Sequence, residues 1–325
     1  MKKASKNVTG AIGNTPVVCL DRFTDYFKVS GKIFAKLEYL NPGFSKKDRI
    51  AKQIIEEAEK KGALDKKKPV LEMTSGNTGI GLAVVCAAKG YDFIAVMSKG
   101  NSPERAEMIV SLGAEVVLVD QAPGGIPGQV TGEDLALVEK EVENIVQKRD
   151  VFFCGQFDHE GNTRAHEIYT GEELWEQTSG EIDVFVDFAG TAGSFTGCAR
   201  ALQKHDKKIR CYLVEPKGAA YLSGQTVTRD GHKIQGGGYA KELPLLEKER
   251  VCDYLQVDDD DVITMTRMAA RLEGIFSGYS SGANLAAALQ LLQGKEEGKS
   301  IALLMNDTGL KYLSTDLFKH PPDQR

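Results

Sequence analysis

Short apolar runs alternate with helix-spaced apolar residues along almost the whole chain. The runs at 33–37, 70–73, 93–97 and 116–119 read as strands. Ile50, Ile54, Ile55 and Ala58 give a helical face after the first. Residues 80–88, closed by Gly90, give another after the second, and Ser102-Pro103 opens a third that ends near Gly113. The fourth run leads into a Gly- and Pro-rich stretch, 121–132, read as a surface loop. Thr131 and Asp134 can then cap a helix carrying Leu135, Val138, Val142 and Ile145. A second set begins near 151–153. It includes strands at 184–189, 209–214 and 301–305, and helices from Phe195 and over 262–272 and 285–292. The acidic run 258–261 sits where it would cap the 262–272 helix and complement its dipole. Such βαβα alternation predicts α/β architecture, parallel sheets with both faces covered by helices.

The chain has 325 residues, enough for two domains. We divide it at 1–155 and 156–325, with the first 35 or so residues open to packing on the second unit. With 42% hydrophobic and 27% charged residues the composition is that of an ordinary soluble protein. A net charge of −5 argues against nucleic acid or an anionic membrane as partner. The basic start, Met-Lys-Lys-Ala-Ser-Lys-Asn, has no apolar segment behind it, so no signal peptide is expected. No run approaches the ~20 apolar residues of a membrane helix. Six widely spaced cysteines without a Cys-x-x-Cys pair signal neither zinc nor a disulfide framework. No metal spacing joins His159 and His166. A cytoplasmic protein is expected.

Two stretches carry candidate chemistry. In Asn41-Pro42-Gly43-Phe44-Ser45-Lys46-Lys47-Asp48-Arg49, a Pro-Gly turn precedes a helix for which Ser45 is a good N-cap. Lys46 and Lys47 then fall in the first turn, where the helix dipole and a neighbouring cation both weaken a lysine's hold on its proton. A lysine of that kind is a nucleophile or a base; a solvated basic turn is the alternative. The second stretch, Thr74-Ser75-Gly76-Asn77-Thr78-Gly79-Ile80-Gly81, joins a strand to a helix. Its backbone N–H groups and its three side-chain donors, Thr74, Ser75 and Asn77, suit a carboxylate. Later, Gly190-Thr191-Ala192-Gly193-Ser194 makes another strand-to-helix turn, with the N–H groups and hydroxyls that a phosphate monoester needs.

Asn-Pro-Gly-x-Ser-x-Lys-Asp-Arg together with Thr-Ser-Gly-Asn-Thr-Gly-Ile-Gly-Leu-Ala resembles the cysteine synthase and cystathionine β-synthase family. The resemblance extends over nearly the whole chain, from Ile12-Gly13-Asn14-Thr15-Pro16 to Tyr312-Leu313-Ser314-Thr315. It implies a fold-type-II (tryptophan synthase β-like) enzyme: two three-layer α/β domains, with pyridoxal 5'-phosphate between them and a homodimeric assembly. By the same resemblance Lys47, next to Asp48-Arg49, is the Schiff-base lysine. Thr74, Ser75, Gly76, Asn77 and Gln156 hold the substrate carboxylate, and Asn77 also reaches the cofactor's ring hydroxyl. Gly190, Thr191, Ala192, Gly193 and Ser194 cradle the phosphate, and Ser280 meets the pyridine nitrogen. A hydroxyl at that nitrogen favours elimination and replacement at Cβ.

The implied activity is β-replacement on a serine- or cysteine-type amino acid through an aminoacrylate: O-acetylserine or serine plus sulfide or a thiol. A lyase of the same fold that releases hydrogen sulfide, and a catalytically silent partner-binding relative, are the alternatives. Several positions depart from the family pattern. Ala192 and Ser194 stand where the family has Gly and Thr. Asn306-Asp307-Thr308-Gly309 replaces Pro-Ser-Ser-Gly, and Asp307 leans toward the cystathionine β-synthase form, Pro-Asp-Ser. Asp307 and Gly237, within Gly236-Gly237-Gly238 near the entrance, are candidate modulators. The first forty residues lack histidine, so no haem site is implied, and no fused regulatory domain is expected beyond Thr315.

Overall fold

The strand-forming runs assemble into two sheets in the computed structural model, which describes residues 4–126, 128–228 and 231–319. Residues 1–3 of the basic start and residue 127 of the long loop lie outside the described residues. The larger sheet runs β1 (Val17–Cys19), β2 (Lys32–Leu37), β10 (Ser300–Met305), β7 (Val184–Phe188), β8 (Arg210–Pro216), β9 (Val251–Val257). β1 is antiparallel to β2, and the other neighbours are parallel. The smaller sheet is all parallel: β5 (Glu115–Val119), β4 (Phe93–Ser98), β3 (Val70–Met73), β6 (Phe152–Phe153).

Each sheet is the middle of three layers, because its strands have two apolar faces to cover. On the smaller sheet, Val70, Phe93, Ala95 and Met97 pack against α2 (Lys47–Lys60) and α3 (Asn77–Lys89) through Ile54, Ile55, Ile80 and Val85. The alternate residues Leu71, Met73, Ile94 and Val96 meet Val138 and Val142 of α5 (Gly132–Lys148) on the other face. The larger sheet repeats this arrangement. Val184, Val186, Ile301 and Leu303 face α9 (Asp259–Glu273) and α10 (Tyr279–Leu292). Phe185, Cys211, Leu213 and Leu304 face α8 (Gly193–His205). The period of two along each strand decides which helix a residue meets.

Several local expectations shift. The pair of α/β sets does not divide at 151–153, because β6 pairs with β3 and closes the first sheet. The α2 helix begins at Lys47 with Lys46 in the cap position, although the Ser45 hydroxyl still accepts from the Lys47 N–H (3.3 Å). Ser102 occupies the cap of α4 (Pro103–Ser111) without bonding it; its hydroxyl donates to the Lys311 carbonyl (2.7 Å). α8 starts at Gly193 and α10 at Tyr279, so Ser280 and Ser281 lie within the first turn. Asp258 makes no side-chain cap on α9 and pairs with Lys217 (3.1 Å), leaving Asp259, Asp260 and Asp261 on the first turn. The Thr131–Asp134 capping box forms as expected.

Ala192 has φ +64, in the left-handed region where a Cβ is strained. Ala192→Gly relieves that strain and gives back some chain entropy, for an expected net gain of about 0.5–1 kcal/mol. Urea unfolding of the cofactor-free protein measures it, and a loss of stability would show that the Ala192 methyl contributes more by packing than it costs in strain.

Candidate active site

Three strands of the two sheets end together, and the turns after them form the walls of one crevice. β3 runs into 74–76 and then α3; β7 runs into 189–192 and then α8; β10 ends at Asn306-Asp307. Ligands in open α/β sheets settle at such carboxyl ends. An isolated bridge, Ser45 to Asp307, brings the start of α2 against the end of β10.

Lys47 sits at the first position of α2, buried, and its Nζ makes no hydrogen bond or ion pair among the described residues. Burial, and after it the Lys46 charge, push its amine down to about 7. The stronger cause is thus desolvation rather than the neighbouring cation that the sequence brought forward. Lys46 points elsewhere: its Nζ donates to both Asp187 oxygens (2.9 and 3.0 Å) and to the Ser194 hydroxyl (2.8 Å). Geometry therefore separates two adjacent lysines into one free amine and one fully paired cation.

The residues after Lys47 anchor its helix. Asp48 accepts from the Gly43 N–H. Arg49 bonds Glu38 twice (both 2.7 Å) and reaches Glu173 through two nitrogens (2.8 and 2.7 Å). Charge-assisted paired bonds of this kind fix orientation as well as charge. Glu38, Glu173 and the Lys36 that joins them (2.9 Å to Glu173) were not singled out from the sequence, where they look like ordinary charged residues.

The 74–77 turn opens toward Lys47 in a single cavity that Thr191, Gln156, Gly236 and Tyr239 also line. Gly76 has φ +125, and a Cβ there would strike the Arg105 side chain at 2.5 Å, so only glycine fits. Thr74 Oγ1 accepts from the Gly76 and Gly79 N–H groups (2.9 and 3.0 Å), which holds the turn's shape. Ser75 shares a hydrogen bond with the Tyr239 hydroxyl (2.7 Å). Gln156 is held by the Met73 carbonyl (2.7 Å) and the Thr78 hydroxyl (2.6 Å). Asn77 is gripped at both ends: Nδ2 donates to Asp307 (2.8 Å), and Oδ1 accepts from Lys311 (2.8 Å). Asp307 thus lies behind the turn and touches it through Asn77. Tyr312 donates to the same carboxylate oxygen (2.7 Å), and Arg105 stands 4.0 Å away.

Lys311, Arg105 and Tyr239 escaped the sequence reading. Lys311 is fully buried, donates to the Gly43 carbonyl (2.9 Å), and is pushed by burial down to about 8. Nothing in its local sequence marks it.

Behind Lys47, the buried Glu72 carboxyl accepts from the Gln156 N–H (3.1 Å), while its other oxygen has no partner among the described residues. Burial raises it from 4.5 to about 8, so it is mostly protonated at neutral pH. A carboxyl raised in the fold binds a proton there that it has lost in the unfolded chain, so its stabilisation fades as pH rises from 4.5 through 8. Glu72→Gln is therefore expected to match the parent near pH 4.5 and to exceed it in stability by pH 8. Urea midpoints across that range test this; parallel curves would show an ionised Glu72.

On the opposite wall, Gly190, Thr191 and Ser194 share a cavity with Lys47, Asn77, Ser280, Gly236 and Asn306. Thr191 accepts from Asn162 Nδ2 (2.8 Å). The Ser194 hydroxyl is turned to Asp187 and Lys46. Gly237 lets the Gly-rich segment close on this turn: a Cβ would meet the Ala189 carbonyl at 2.6 Å, and Gly238 N–H donates to that carbonyl (2.8 Å). The donor set fits a phosphorylated aromatic aldehyde. A helix N-terminus faces the free amine, and the buried Asn306 amide, unpartnered among the described residues, lies beside Ser280.

Comparison with known proteins agrees with that fit. The chain is similar to a cysteine synthase of Staphylococcus aureus, with 37% identity over 318 residues that span 98% of each chain. It superposes on O-acetyl serine sulfhydrylase isoform 3 of Entamoeba histolytica with TM-score 0.90 and 36% identity, covering 100% of this chain and 94% of that one. A hydrogen sulfide-producing enzyme of Fusobacterium nucleatum superposes with TM-score 0.87 and 36% identity, over 95% of this chain and all of that one. Residues 8–307 match the family described as pyridoxal-phosphate dependent enzyme. A buried, unpartnered amine that shares a cavity with a helix N-terminus suits such a cofactor, and the chain belongs to the pyridoxal-phosphate-dependent enzyme family.

Proposed function

We propose that this protein is a β-replacement enzyme of the cysteine synthase type. It exchanges the β-substituent of a serine- or cysteine-type amino acid, such as O-acetylserine or serine, for sulfide or a thiol. The observation that carries this reading is the unpaired Lys47 amine opposite the 74–77 turn, in a chain matching a cysteine synthase over 98% of its length. Pyridoxal 5'-phosphate, when bound, supplies the electron sink for breaking Cα–H and releasing the β-substituent. Lys47 holds the cofactor and then carries the α-proton; an amine near 7 can do both at neutral pH.

Thr74, Ser75, Gly76, Asn77 and Gln156 orient the substrate carboxylate, which requires Ser75 to part from Tyr239. Asn77 also faces the ring hydroxyl. Gly190, Thr191, Ala192, Gly193 and Ser194 hold the phosphate, and Ser280 meets the ring nitrogen. Gly237 sets the closeness of the entrance segment. The same reading divides the chain at 155/156, with the first 35 residues on the second unit, supported by β1 and β2 lying in the sheet of β7–β10. A homodimer is part of the proposal, supported by the apolar groove of Pro42, Phe44, Met108, Leu112 and Leu310. So is a cytoplasmic location, supported by six unpaired cysteines. Among the described residues no helix is long and apolar enough to cross a membrane.

The likeness to the hydrogen sulfide-producing enzyme favours a lyase as second reading. Three reactions separate them: O-acetylserine with sulfide, serine with homocysteine, and cysteine alone, with cysteine, cystathionine, serine, pyruvate and sulfide quantified. Replacement is expected to be faster. Sulfide released from cysteine alone, with serine or pyruvate, faster than either synthetic reaction would make the lyase reading the right one. No turnover of any of them would leave only a partner-binding relative.

A further inference from the structure

Lys46 and Asp187 lie 141 residues apart in sequence, yet form an ion pair whose side chains are 9% and 0% exposed. Burying two charges is costly, and such a pair is weak evidence for stability in itself. Its position is more informative. Lys46 holds the cap position of the helix whose first residue is Lys47, and Asp187 is the next-to-last residue of the strand that feeds the 189–192 turn. Ser194 joins the pair from the first turn of α8, and Asn284 of α10 donates to Asp187 (3.4 Å). All three Lys46 hydrogen bonds thus run from the lysine wall of the cavity to the phosphate wall.

We propose that the Lys46–Asp187 pair is a positioning device for Lys47: it ties the amine-bearing helix end to the phosphate turn and holds one charge of each sign beside that amine. This rests on Lys47 being the cofactor-holding lysine. Other titratable groups act on Lys47 or share its cavity. Glu72 on β3 is mostly neutral, and His166, the first residue of the π-helical segment His166–Gly171 that follows α6 (Glu160–Ala165), is held well below its usual range by burial. Arg105 of α4 lines the same cavity, with its guanidinium bonded to the Ser75 carbonyl (2.6 Å). Lys46 is the larger charge effect on Lys47, and Asp187 opposes it. Removing one charge or the other should therefore move Lys47 in opposite directions.

The test uses the full chain without cofactor and follows carbamoylation of Lys47 by cyanate against pH, read by peptide mass. Cyanate reacts with the neutral amine, so the midpoint reports its protonation. Lys46→Met should raise the midpoint and Asp187→Asn should lower it, each by on the order of one pH unit. Lys46→Arg should leave it unchanged. The double variant should fall between the singles, and if one single does not fold, the double against the other single isolates the missing charge. Shifts of the same sign, or none, overturn the proposal, because loosened packing alone does not distinguish the sign of the lost charge. Borohydride reduction of the cofactor-loaded parent keeps the two readings apart. A mass tag on a lysine other than 47 refutes the assignment of Lys47, whatever the midpoints do.

Discussion

Lys47→Ala is expected to abolish turnover, by at least about 10³-fold in kcat, and to yield a protein without the visible absorbance of the parent. Two properties set the size of the effect. Lys47 is the one lysine at this crevice whose Nζ has no partner among the described residues, and its amine lies near 7. Lys46 cannot substitute, because its Nζ is taken up by three bonds to Asp187 and Ser194 and its release would strand a buried carboxylate. Lys311 is likewise committed to the Gly43 carbonyl and Asn77. Absorbance spectra before and after borohydride, together with kcat, check the expectation. A Lys47→Ala protein that keeps a borohydride-reducible chromophore would place the covalent lysine elsewhere.

Asp307→Ala has the second-largest expected effect, and it acts on both stability and substrate handling. The carboxylate is fully buried and accepts from Asn77 and Tyr312, with Arg105 beside it. Removing it leaves two buried donors and a guanidinium without their acceptor, for an expected loss of about 3–5 kcal/mol. Asn77, now held only by Lys311, no longer has a fixed orientation, and misplacement of a positioning residue costs up to about 10²-fold in kcat/KM. Urea unfolding and steady-state kinetics measure the two parts. Asp307→Asn keeps an oxygen acceptor and should lose less of both. Unchanged kcat/KM in a destabilised Asp307→Ala protein would make the residue structural only and detach it from the proposed substrate turn.

The sequence by itself determined what depends on neighbours along the chain. Most strands and helices showed in the apolar period, β1 and β9 being exceptions, and the boundaries of β3 and the end of α3 at Gly90 fall where the signals put them. Turn chemistry located the 74–77 and 190–194 segments, and the strained φ at Ala192 follows from an alanine in a turn patterned for glycine. The alternation of strands and helices predicted parallel sheets with both faces covered, which holds for every strand pair but the antiparallel β1–β2, and the motif pair pointed to the family.

Only the tertiary structure decided which polar groups are buried together. Lys46 meets Asp187 across 141 residues, Asn77 meets Lys311 across 234, and Ser75 meets Tyr239 across 164. Local sequence holds no record of such pairings, because a lysine in a solvated turn and a lysine in a dry ion pair have the same neighbours in the chain. Their difference arises from desolvation, which exists only once the two sheets close over the crevice. For the same reason the lowered affinity of Lys47 for its proton, visible in sequence only as two adjacent cations, is mainly a consequence of burial.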